Sequence, residues 1–186
     1  AMINKPADQG NVVVKADMLI TVTWPDNNPD DVDTYVEDPA GNIVWYNQKE
    51  AGLMHLDRDD RGNFKDTILV DGKEIQNPLN QEIVTLRGLE DGEYVVNIVH
   101  YIANSATPLP VQVKVEKLNP SVRVIYYNTL QLKQTGDEQT AVRFTLKGQD
   151  VVNVNTIPKS LVELTRSSGS KEGGGGAATS APGGPI

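Results

Sequence analysis

Apolar residues recur at every second position through most of the chain, and that one pattern excludes most folds. Val12 and Val14, then Met18, Ile20, Val22 and Trp24, mark one face of a first strand or broken pair of strands. Successive side chains of an extended strand point to opposite faces, so this rhythm predicts β structure buried on one side. The same alternation marks Val32 to Glu37, Ile43 to Tyr46, Thr67 to Val70 and Lys73 to Ile75. It continues in Glu82 to Arg87, Glu93 to Ile102, Val111 to Leu118, Ser121 to Leu132 and Thr140 to Gly148, with a weaker last segment from Asn153 to Leu164.

Turn chemistry separates these runs. Asp38-Pro39-Ala40-Gly41-Asn42 reads as a tight loop and Asp71-Gly72 as a two-residue hairpin turn. Glu50 to Gly62 reads as a loop. No stretch carries a helical stripe, and Ser160 to Thr165 is too short for an isolated helix. About nine to ten strands at this spacing predict an all-β, antiparallel β-sandwich. The sandwich is expected over residues 1–165, followed by a Gly/Ser/Ala/Pro-rich tail over 166–186. That tail has almost nothing to bury, so nothing offsets the entropy lost on ordering it.

Charge and cysteine content narrow the function. The formal net charge is −8 and the basic residues are scattered, which disfavours phosphate neutralisation, so no nucleic-acid partner is expected. With no cysteine, disulfide frameworks and thiolate chemistry are excluded. No apolar run approaches the roughly 20 residues of a spanning helix. Ala1-Met2 reads as a cloning remnant, and a signal or membrane anchor upstream of it is left open.

Two acidic clusters raise the question of a metal. Asp31 and Asp33 share one strand face with Tyr35 and Glu37, with Val32, Thr34 and Val36 on the other. Asp57, Asp59 and Asp60 lie in a run that also holds Arg58, Arg61 and Gly62. Hard oxygens are calcium's ligands, and about six to eight are needed. An EF-hand is rejected, because Arg61 and Ile68 stand where ligands belong. Two readings stay open: a calcium site built from Asp31, Asp33, Asp57, Asp59 and Asp60, or pairing of the loop carboxylates with Arg58 and Arg61. The second is favoured, since arginine competes for the same oxygens. No cofactor is otherwise expected.

The stretch Asp31-Val32-Asp33-Thr34-Tyr35-Val36, with Asp38-Pro39-Ala40-Gly41 and the strand Ile43 to Tyr46, resembles a bacterial family of uncharacterised exported domains. Their pattern reads D-x-D-L-x-V-x-x-P-x-G, then a strand and an acidic loop. The Asp57 to Asp60 loop and Gly92-Glu93-Tyr94 resemble later parts of that family. Prepeptidase C-terminal β-sandwich domains are similar more distantly. The likeness spans Thr23 to Tyr101, with Thr34 where leucine is usual. It implies a sandwich and a non-catalytic module at a periplasmic or cell-surface location.

No catalytic constellation is legible. His100 falls on the apolar face of its strand with Tyr94, Val96 and Ile98, which reads as a core histidine. His55 reads as a plain loop residue, with ligation of a transition metal beside Asp57 or Asp59 as the alternative. There is no G-x-S-x-G, and Gly173 to Gly176 lacks the strand and Lys-Ser/Thr of a phosphate loop. Trp24 and Trp45 read as core anchors, while Trp45 and Tyr46 on a regular strand would point to opposite faces. The expectation is therefore a non-enzymatic binding or structural module of a larger assembly, with a protein or glycan partner. A carbohydrate-recognition module is the alternative, as is a calcium-stabilised surface or phage structural component.

Overall fold

The structure, a computed structural model, describes residues 15–25, 31–59, 67–70, 73–76, 79–102 and 108–166. The expected strand at Val12 and Val14, Asp60, Arg61 and the tail beyond 166 lie outside them.

The strands are β1 (Met18–Pro25), β2 (Asp31–Glu37), β3 (Ile43–Val44), β4 (Glu50–Ala51), β5 (Met54–Asp59), β6 (Thr67–Val70) and β7 (Lys73–Gln76). They continue as β8 (Leu79–Leu86), β9 (Gly92–Ile102), β10 (Leu109–Lys117), β11 (Arg123–Leu132), β12 (Glu138–Lys147) and β13 (Asp150–Asn155). One sheet runs β11-β10-β1-β8-β5-β4 and the other β13-β12-β9-β2-β3, with β6 and β7 as a separate hairpin. Pairing is antiparallel throughout, and the two sheets pack as the expected sandwich. Val70 pairs with Lys73, so the hairpin expected around Asp71-Gly72 is in register.

Alternation explains the layers. Met18, Ile20, Val22 and Trp24 of β1 meet Val32 and Val36 of β2, Val96 and Ile98 of β9 and Phe144 of β12 in one core between the sheets. Tyr94 and Phe144 stack there, with ring centroids 5.1 Å apart and planes 8° from parallel. Each such side chain removed from water contributes roughly 1.5–3 kcal/mol.

Two segments differ from the sequence expectation. Glu50 to Gly62, expected as a loop, carries β4 and β5. Met54 and Leu56 face the core while His55 and Asp57 face outward. The alternation is genuine, but only two apolar residues carry it. The last segment forms β13 and then leaves the sheet. Residues 156–161 cross the outer face of the five-stranded sheet as a strap that ends in a helical turn over 162–166.

The residues behind the family resemblance build a corner of the fold. Asp38 Oδ1 accepts the N–H groups of Ala40 and Asn42 at 3.0 and 2.8 Å, and Oδ2 accepts Asn42 Nδ2 at 2.9 Å. That satisfies the turn after β2. Pro39 then packs on Gly92, whose φ is +124°, and a Cβ there would lie 2.6 Å from Pro39 Cβ. A Cβ on Gly52, at φ +59°, would meet Asp38 Oδ2 at 2.5 Å. Only glycine fits either position.

Candidate functional site

Strap and sheet together make a cleft. The strap is pinned by side chains from three strands. Lys159 Nζ donates to Glu37 at 2.7 Å. The Lys159 carbonyl accepts from Asn97 Nδ2 at 2.7 Å, and Lys159 N–H donates to Thr140 Oγ1 at 2.9 Å. Glu138 takes the largest share. Its oxygens accept from Asn97 Nδ2, Ser160 Oγ and the N–H groups of Leu161 and Val162, which satisfies the start of the helical turn. Leu161 is fully buried among Tyr35, Ile43, Val95 and Val99, a second and smaller core outside the sheet.

Beside Leu161 the strap stops short of covering the sheet, and a cleft of about 530 Å³ remains. Aromatic rings line it in sequence. Tyr35 and Trp45 stack at 5.5 Å, Trp45 meets Tyr46 edge-on at 5.0 Å, and Tyr46 meets Tyr101 at 6.0 Å and 56°. Tyr35 is buried beneath, Trp45 is half-buried, and Tyr46 and Tyr101 are 42% and 49% exposed. Asp33 also lines the cleft and is only 3% exposed. Glu138, Glu163 and Arg166 complete its charged lining. Burial, then the Asp33 charge, holds the Tyr35 phenol well above the usual tyrosine range, while Arg166 acts against that rise.

Local backbone explains why both Trp45 and Tyr46 reach one site. On a regular strand they would diverge, but β3 ends at Val44. Trp45 and Gln48 then exchange two backbone hydrogen bonds around a turn, and Tyr46 swings to the same side. Trp45 is thus not an anchor of the inter-sheet core; Trp24 is.

The acidic residues singled out from the sequence are placed as follows. Asp31 is half-buried at a bulge opposite Ile102, and Asp33 lies two residues on, against the cleft. Asp33 and Glu37 are buried, because the strap covers that face of β2. Asp57 is exposed on the outward face of the six-stranded sheet, so the core separates it from Asp33. Asp59 pairs in register with Gln81, and Arg58 with Glu82. Asp60 lies outside the described residues. Among the described residues, no group of three or more His, Cys, Asp or Glu side chains is placed to hold a metal ion.

The histidines separate as well. His100 is completely buried on the inward rank of β9 beside Val32, as a core histidine should be. His55 sits on a strand rather than in a loop, with Nδ1 2.9 Å from Glu50 Oε2.

No family model matches the chain, and searches of curated proteins and of solved structures find no match. The resemblance of Thr23 to Tyr101 to exported domains therefore rests on its motif residues alone. Sequence reasoning read Trp45 as a core anchor and set Trp45 and Tyr46 on opposite faces, and it missed their meeting at one site with Tyr101, Glu138 and the strap. Tyr101 was legible in principle, since it shares its outward rank with Val99 and Asn97.

Proposed function

We propose that the protein is a non-catalytic binding module and that the aromatic cleft is its recognition site. The observation that supports this most is the row Trp45, Tyr46 and Tyr101, which leaves ring surface in water on a face that the strap otherwise covers. Exposed aromatic surface grouped in a concavity favours ligand contact, since it gives large contact area at little entropic cost. Two of the ionisable groups around it, Glu138 and Tyr35, serve structure. Glu138 already accepts four hydrogen bonds, three from the strap and one from Asn97, and Tyr35 is held as the neutral phenol. A periplasmic or cell-surface assembly is the setting that the family resemblance implies.

An array of oligosaccharides and peptides, probed with the protein and with a Trp45→Ala, Tyr101→Ala double variant, tests this reading. Binders that are lost in the folded double variant, and recovered chemically unchanged, are expected. Full-strength binding by the double variant, or turnover of any bound compound, would contradict it.

A further inference from the structure

The lining of the cleft carries a charge pattern that its aromatic rings alone do not explain. Three acidic residues, Asp33, Glu138 and Glu163, line the space together with one arginine, Arg166, and the buried His100. Asp33 is the innermost of the three, 3% exposed on the sheet face beneath the cleft. It lies two residues before Tyr35 on the same face of β2, near enough for its charge to act on the Tyr35 phenol. Aromatic faces attract cations through their quadrupole, and the attraction grows when the cation is desolvated. A carboxylate behind such faces adds a charge-assisted hydrogen bond. Rings and acid together form the two halves of a site for a positively charged group.

The chain supplies its own hint. Arg166 closes the helical turn at the mouth of the cleft, and its charge is near enough to Tyr35 to oppose the rise in that phenol's pKa. A planar guanidinium suits the space better than a compact ammonium, since it stacks on rings and forks onto carboxylates. Resting on the binding-module reading above, we propose that the cleft receives an arginine side chain of a partner polypeptide, held against the exposed surfaces of Trp45, Tyr46 and Tyr101 within the acidic lining, in competition with Arg166. The alternative occupant is a neutral sugar ring. It is less suited, because Tyr46 and Tyr101 are inclined at 56° and offer no single plane, and because a sugar does not use the acidic lining.

The probes are a capped Gly-Arg-Gly peptide, the same peptide with neutral citrulline in place of arginine, and chitohexaose. Each is titrated into the full chain while the Trp45 indole resonance is followed, assigned by its loss in Trp45→Phe. Trp24 is buried in the inter-sheet core and acts as an internal control. The arginine peptide should shift Trp45 saturably, and citrulline should bind about tenfold more weakly or worse. Asp33→Asn should weaken the arginine peptide by a similar factor. Because Asp33 is buried, exposed Glu163→Gln serves as a second variant and should weaken it about two- to fivefold. Arg166→Ala should tighten it by removing the internal competitor.

Equal binding of the arginine and citrulline peptides would overturn the proposal. So would tighter binding with Arg166 present than without it. A Trp45 shift by chitohexaose alone would overturn the arginine assignment and leave the binding-module reading standing. Silence of Trp45 to all three probes would overturn the assignment too, and the array decides the broader reading separately.

Discussion

The two faces of the five-stranded sheet are covered in different ways. The inward face is sealed by the six-stranded sheet, with Val32, Val36, Val96, Ile98, Val142 and Phe144 all buried in a continuous apolar core. Burial of this kind is non-directional and needs only shape and volume. The outward face is covered by a single strap. Five buried side chains, Tyr35, Ile43, Val95, Val99 and Leu161, form its small core, and two carboxylates, Glu138 and Glu37, tie the strap down. A cover built from few apolar contacts and several directional bonds opens more readily than a packed sheet. It also leaves its edge unfinished, and the cleft lies at that edge.

The largest effect should come from breaking the inward face. Phe144→Ala removes a fully buried ring stacked on Tyr94. The expected loss is about 3–5 kcal/mol, read as a fall in the urea midpoint with one cooperative transition. The loss should be global, with amides of β1, β9 and β12 all exchanging faster. Faster exchange confined to one strand pair would show that the two sheets do not unfold as a unit.

Leu161→Ala strikes the outward face. Truncating a buried leucine costs about 2–5 kcal/mol where the surroundings cannot relax. Here the strap can lift away, so the low end, about 2 kcal/mol, is expected. Hydrogen exchange should quicken at Leu161, Val162 and Thr165 while β9 and β12 keep their protection. A global loss equal to that of Phe144→Ala would mean that strap and sandwich form one cooperative unit.

The inward face was the part most legible in sequence. Its ranks obey a period of two, and β1 shows this in unbroken alternation from Met18 to Trp24. The turn chemistry was legible too, since Asp38-Pro39-Ala40-Gly41 forms the predicted corner. The outward face was hidden for a physical reason. Its cover comes from residues 156–166, a stretch with no period, whose ties to Asn97, Thr140 and Glu37 join positions far apart in the chain. Tertiary hydrogen bonds of that kind leave no local signal. The same holds for β5, where Leu56 and Met54 are the sole apolar marks within a charged run.

Alkaline pH offers a gentler way to separate the two faces, because each buries one tyrosine. Tyr94, in the inward core, has its phenol pushed up to about 12 by burial, against a hydrogen bond from the Glu90 N–H that acts the other way. Tyr35, under the strap, is raised by burial, then by Asp33 and Tyr46. An unfolded tyrosine ionises near pH 10. Both folded values lie above that, so the native state holds protons that the unfolded state releases. The stabilisation is therefore fully present below about pH 10 and is lost as pH rises through the folded values. For Tyr94 the slope should be about 1.4 kcal/mol per pH unit between about pH 10 and 12. Urea midpoints measured across that range should fall steadily, and Tyr94→Phe should flatten the fall. Leu161→Ala should distinguish the two rings. Lifting the strap lets water reach Tyr35 and brings its ionisation down, while Tyr94 stays sealed between the sheets. Phenolate absorbance should then show one tyrosine moving to lower pH in Leu161→Ala, and Tyr35→Phe in that background should abolish the shift. If Leu161→Ala moves both rings, or neither, the two faces are not independent covers.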